Sequence, residues 1–272
     1  MKHPSGYRLR FALILGLAGI LSVFGSAQMR ERVWARYEAE MQDPVEDPPD
    51  VWRKGEFSLG RLRYHSPLDG RRGGYFRWGI DANKGDRLFI GILSRLTRID
   101  AAPIETIIDA GSDDVFDHPW LLAISAGDWV LAPSEAARLR KYFDRGGFLM
   151  VDDFHNDHEW NQFMTGIHQI YPDTTAVELT DPDTPFHTVF DMKDRVRVPG
   201  ANVVHGSQIE RGGTLPHWRA ILDSQGRMIV AICFNMDVGD GWEFADDPQY
   251  PERYSSEAIR LGVNYAVYAM TH

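Results

Sequence analysis

The sequence predicts an α/β sandwich built on a largely parallel central sheet. Three observations carry that expectation. The continuous apolar runs "WLLAIS" (120–125), "FLMV" (148–151) and "MIVAICF" (228–234) read as strands buried on both faces. Segments with helical spacing separate the strands along the chain. The run "FLMVDDFHND" (148–157) breaks from apolar residues straight into acids and a histidine, at the edge where α/β sheets collect ligands.

Each element follows in order. "LGRLRYH" (59–65) alternates apolar and basic residues, as a half-buried strand does. "GDRLFIGILSRLTRI" (85–99) carries Leu88, Ile92, Leu93 and Leu96 at helical spacing, and "IETII" (104–108) reads as a strand. "PSEAARLRKYFDRGG" (133–147) is a marked helix, with Ser134 as its expected cap and Gly146 as its stop. An amphipathic segment surrounds Trp160, Phe163 and Ile167. "HWRAILDSQGRMIVAICF" (217–234) reads as a hairpin across Ser224–Gly226. "SSEAIRLGVNYAVYAM" (255–270) closes the chain as a helix packed on the sheet.

The amino end reads as an export signal. Lys2, Arg8 and Arg10 precede "FALILGLAGILSVFG" (11–25), and Gly25 and Ala27 stand where a signal peptidase reads small residues. That run has 15 residues, short of the about 20 a membrane-spanning helix needs. Residues 1–27 are therefore read as a signal peptide, with a retained anchor as the alternative, and the chain as periplasmic or extracellular. Residues 28–54 read as a charged tether followed by a Pro-rich linker, "DPVEDPPD" (43–50), kept extended by its prolines. One α/β domain is expected over 55–272.

Cleavage would remove three of 29 basic side chains and none of 39 acidic ones, taking the net charge from −10 to −13. That balance argues against a nucleic-acid partner and against anionic lipid. Cys233 is the only cysteine, so no internal disulfide forms. The domain must rest on its core, for which its length suffices.

Three clusters could carry chemistry. In "DDFHND" (152–157), Asp152, Asp153 and His155 could hold a divalent cation or form an acid/base set. An aspartate there is also the ordinary residue for the start of a helix. Alternation along a strand sends Asp152 and Asp153 to opposite sides. The second cluster, "NMDVGDGWEFADDPQYPE" (235–252), holds Asp237, Asp240 and Glu243 with no lysine or arginine. Trp242 among these acids suggests a ring platform, although Gly and Asp also suit plain turns. The third, "RRGGYFRWGIDANKGDR" (71–87), sets Trp78 near Asp81, a pairing met in saccharide sites and in ordinary cores. Gly127, in "SAGDW", could admit a ligand close to the backbone. P-loop, dinucleotide-binding and zinc-protease motifs are absent, as is the G-x-S-x-G elbow.

With its landmarks "RLRY", the aromatic "W-x-x-D" stretch, "LRKYFDRGGFLMVDDFH", "NMDVGDGWE" and "LGVNYAVYAM", the chain resembles the bacterial "domain of unknown function 4159" family over about residues 55–272. The resemblance implies a relative of the class I glutamine amidotransferase-like fold, a flavodoxin-like α/β sandwich, and agrees with export. In the amidotransferases a helix, a Gly-Gly turn and an apolar strand lead to a nucleophilic cysteine. The corresponding position here falls at or near Asp153, and a carboxylate cannot form the glutamine thioester.

The expected function is binding of a small polar ligand, such as a saccharide, or of a divalent cation in an acid-rich pocket at the strand ends. Trp78, Asp81, Gly127, Asp152, Asp237, Asp240 and Trp242 are its expected binding residues, and Asp153, His155 and Asp240 its expected metal ligands. One alternative is a hydrolase using Asp153, His155 and Glu243. Another is a structural component that meets an envelope protein through its acidic loop.

Overall fold

The computed structural model describes residues 32–71, 73–206 and 210–272. The segment read as a signal peptide lies outside the described residues. Contacts divide the chain into residues 1–35 and a unit spanning Arg36–His272. Within the latter, strands β1 (Leu59–Arg63), β2 (Thr106–Asp109), β3 (Trp120–Ile124), β4 (Phe148–Phe154), β5 (Val177–Glu178), β6 (His217–Leu222) and β7 (Met228–Phe234) form one sheet. Its order is β2-β1-β3-β4-β7-β6-β5. The first five in that order run parallel, and β6 and β5 add an antiparallel margin. The helices are α1 (Lys84–Leu96), α2 (Pro133–Asp144), α3 (Asn156–Ile170), α4 (Ala201–Val204), α5 (Val238–Glu243) and α6 (Glu252–Thr271).

The apolar runs at 120–125, 148–151 and 228–234 became β3, β4 and β7, which are buried along their whole length. Alternation then divides each strand between two cores. Trp120, Leu122 and Ile124, Phe148 and Met150, and Ala231 and Cys233 join α1, α5 and α6 in one of them. Phe89 of α1 ties that core together by stacking on Trp242 at 4.3 Å and meeting Trp120 edge-on at 5.4 Å. Leu121, Ala123, Leu149 and Val151 alternate to the other face. Asp152 is in phase with Phe148 and Met150, so it points towards α5.

Four expectations shift. The strand β1 is interior, flanked by β2 and β3, and is not half-buried. Its Arg61 is 1% exposed and makes paired hydrogen bonds to Asp86 of α1 at 2.7 and 2.9 Å. Removing either partner would strand a buried charge, a loss of about 3–5 kcal/mol. The buried face of α1 uses Phe89, Ile90 and Leu93, whereas Leu96 is exposed. Helix α2 starts one residue before the expected cap: Pro133 is its first residue and the Ala132 N–H donates to Glu135 at 2.7 Å. Finally, residues 36–54 pack on the domain. Tyr37, Met41 and Val51 are buried, and Glu40 accepts from Arg63 twice at 2.8 Å and from the Trp78 indole at 2.9 Å.

Candidate functional site

Three neighbouring parallel strands end in left-handed residues that are not glycine. Ser125 follows β3 at φ 54°, Asp153 bends β4 at φ 51°, and Asn235 follows β7 at φ 60°. Asn156, opening α3, has φ 63°. Each such residue costs of order 1 kcal/mol or more, and strain of this kind persists where surrounding bonds over-determine it. Here they do. The Ser125 hydroxyl donates to Asp153 Oδ2 at 2.7 Å. The Asn156 N–H donates to Asn235 Oδ1 at 3.0 Å, and the Asn235 amide donates to the Leu215 carbonyl at 2.8 Å. The β4–β7 register slips between Val151 and Phe154, which lets the two consecutive aspartates part.

Asp153 is 3% exposed, yet its carboxyl is held low. Burial alone would raise its carboxyl, but Arg211, His155 and Ser125 together hold it below the ordinary range. Arg211 Nη2 donates to Oδ1 and to the backbone oxygen of Asp153, each at 2.6 Å. Arg211 Nε lies 3.3 Å from Glu159, whose other oxygen accepts the His155 N–H at 2.7 Å. The His155 ring presents Nε2 to Asp153 Oδ1 at 3.2 Å and to Glu210 at 3.8 Å. Its Nδ1 is buried with no hydrogen-bond partner among the described residues.

On the other side, Asp152 Oδ2 accepts the Gly239 N–H of α5 at 2.7 Å. Burial pushes the Asp152 carboxyl far up, and neighbouring Asp153 adds to the effect. Asp237 caps α5 by accepting the Asp240 N–H at 2.8 Å. Asp240 accepts the Ala201 N–H of α4 at 2.6 Å. Its carboxyl is pushed up to about 7 by burial, with Asp153 and Glu243 adding to the rise. Asp81 comes from the turn after Arg77–Gly79, at φ 58°. It is raised well above the usual carboxylate range by burial, then by Asp240 and Glu243.

The two acid-rich segments therefore meet at the carboxyl edge of the sheet, but they sort into two trios. Asp153, His155 and Glu210 bring candidate ligand atoms within 4.8 Å of one another, as do Asp81, Asp240 and Glu243. The expected ligand set Asp153, His155 and Asp240 is thus divided between them. So is the expected catalytic set, with Glu243 grouped apart from Asp153 and His155.

The expected ring platforms are core residues. Trp78 and Trp242 are 0% and 1% exposed, and the Trp242 indole donates to the Ala258 carbonyl at 2.9 Å. Gly127 permits a close approach, but of protein: a Cβ there would lie 2.6 Å from the Cβ of Glu159. The expected acid-rich pocket is not where the cleft opens: none of the acids of the two trios lines it. This cleft, of about 480 Å³, is bounded by Asn156, Trp160, Gly213, His217, Arg219 and Asn235, among others. Sequence reasoning missed Ser125, Glu159, Glu210, Arg211 and Asn235. The signal available for two of them was "ERGG" (210–213), two opposite charges set before a pair of glycines.

A comparison with curated proteins gives no match. A family model does match: residues 58–270 fit the one described as Domain of unknown function (DUF4159), and with its landmark strand ends inside that span the chain belongs to this family.

Proposed function

We propose that this chain is an exported binding module that takes a small polar ligand, of the saccharide class, in the cleft beside the strand ends. The observation that carries the reading is the fixed polar wall at that cleft. Asn156 and Asn235 both hold left-handed backbones and are bonded to each other, and both line the open space. A hydroxyl-rich ligand needs donors and acceptors side by side, which Asp157, Thr214 and Arg219 supply there, on a wall that the internally bonded amides of Asn156 and Asn235 hold in place. Trp160 and Phe234 add apolar surface, and the volume suits a small molecule. The net charge of −10 disfavours polyanions.

The strand order supports the finer fold assignment. The parallel set β2-β1-β3-β4-β7 follows the flavodoxin-like order, in which ligands bind outside the carboxyl ends. The same reading places no glutaminase here. At the elbow stands Asp153, whose two oxygens are engaged by Arg211, His155 and Ser125. Export rests on residues 1–27 of the sequence.

Titration of the full chain with a panel of neutral mono- and oligosaccharides tests the proposal, read by tryptophan fluorescence and thermal unfolding. A binder should raise the midpoint by mass action, and Asn235→Ala should lose that rise. A panel in which no sugar moves either signal would sink the saccharide reading.

A further inference from the structure

We infer that Asp81, Asp240 and Glu243 form a site for a hard divalent cation of the Ca²⁺ or Mg²⁺ kind, separate from the Asp153 centre and independent of the saccharide reading. The two acidic trios differ in how their charge is met. In the trio of Asp153, His155 and Glu210 the protein supplies its own cation, since Arg211 Nη2 lies 2.6 Å from Asp153 Oδ1. For Asp81, Asp240 and Glu243, no lysine, arginine or histidine among the described residues makes an ion pair. Lys84 and Arg61 act on the trio only at longer range, and their ion pairs are with Asp246 at 3.4 Å and Asp86 at 2.7 Å.

A second observation points into the same space. Asp81 is 3% exposed, and its Oδ2 is buried with no hydrogen-bond partner among the described residues. An unpaired buried carboxylate oxygen costs several kcal/mol unless a proton or a cation meets it. The fold holds this oxygen deliberately close to α5, because a Cβ at Gly239 would lie 2.2 Å from it. Asp240 spends one oxygen on the Ala201 N–H, and its carboxyl also meets that of Asp237, so no basic group satisfies it. The Glu243 carboxylate accepts no hydrogen bond among the described residues.

The donor chemistry selects the ion. Every candidate ligand in this trio is a carboxylate oxygen, which suits Ca²⁺ or Mg²⁺, whereas the other trio includes an imidazole. A cation here would join the turn after β1 to the helix after β7, two segments brought together only at the carboxyl edge of the sheet.

The test uses the full chain stripped with EDTA, titrated calorimetrically with CaCl₂ and with MgCl₂. Tb³⁺ luminescence excited through tryptophan gives a second readout, because Trp242 lies between Asp240 and Glu243 in sequence. The expected result is saturable binding of at least one of the two ions and a Tb³⁺ emission that this ion displaces. Asp81→Asn and Asp240→Asn should each weaken binding by more than about tenfold, since affinity follows the charge of the ligand set. Each replaces one of three crowded carboxyls with a neutral amide, so both variants should fold at least as stably as the stripped parent, which far-UV circular dichroism and urea unfolding check. Two results overturn the inference: no saturable signal with either ion or with Tb³⁺, or binding that persists undiminished in both variants.

Discussion

Arg211 and Asp153 lie 58 residues apart in sequence, and Nη2 of the first donates to both the carboxylate and the main-chain oxygen of the second. This contact does two jobs. It meets the charge of a carboxylate that is almost wholly buried, and it fixes the carbonyl of a residue in left-handed conformation. Arg211→Met keeps much of the aliphatic volume and removes both bonds. Breaking a buried pair by deleting one partner strands the other charge, so the variant should lose about 3 kcal/mol in urea unfolding. A loss below about 1 kcal/mol, the range of an exposed pair, would show that His155 and Ser125 suffice.

The same pair predicts a pH dependence. Arg211, with His155 and Ser125, outweighs burial and leaves the folded Asp153 carboxyl below its usual 3.8. A depressed carboxyl adds stability above the unfolded value, and that stability is lost as pH falls through the folded value. The stability gap between the parent and Arg211→Met should therefore stay level from neutral pH down to about 4 and shrink below it. Urea midpoints at stepped pH measure the gap. A gap that widens towards acid would mean that Asp153 is not the group Arg211 serves.

Much of this site was legible in the sequence because the signal was local. An apolar run that ends in "DDFHND" marks the end of a buried strand, and "NMDVGDGWE" after "MIVAICF" marks another. Neither stretch says which acids share a space. Asp153 joins Glu210 and Arg211 because the 210–215 loop folds back over β4, and Asp240 joins Asp81 because α5 packs on α1. Those meetings depend on strand order and loop path, which no periodicity encodes. Trp242 misled for a related reason. Its acidic neighbours in sequence suggest a wet loop, but its position within the same turn of helix directs the indole onto Phe89 and away from the carboxylates. Arg61 misled because alternation shows which side chains share a face and is silent on whether a buried Asp86 waits there.

Gly127 offers a sharp packing test. It lies in the 3₁₀ turn after β3, where an added Cβ would sit 2.6 Å from the Cβ of Glu159 and 2.9 Å from that of Phe154. Both atoms belong to side-chain stems that cannot swing away, so Gly127→Ala must push α3 off the turn. Overpacking of this kind costs about 1–3 kcal/mol. It should also disturb the Glu159 contacts to Arg211 and to the His155 N–H. The histidine ring signals of His155 should therefore shift in NMR spectra of the variant, together with the lower urea midpoint. An unchanged midpoint would show that the turn yields freely.

Truncation tests where the folded unit begins. A chain starting at residue 55 would keep every strand, yet it would lose Tyr37, Met41 and Val51 from the core. Burial of such side chains contributes roughly 1.5–3 kcal/mol each. It would also lose Glu40, which accepts from Arg63, from the Trp78 indole and, through its backbone oxygen, from the Phe76 N–H at 2.8 Å. Gly79 is held so close to that backbone oxygen that a Cβ would lie 2.2 Å away. The turn that carries Asp81 into the site is therefore built against residues 40–42. A 55–272 chain should lose more than about 3 kcal/mol relative to a 32–272 chain in urea unfolding. Its affinity for a divalent cation should fall with it, because the turn bearing Asp81 loses its support. Equal midpoints for the two chains would make residues 36–54 a passive strap rather than part of the fold.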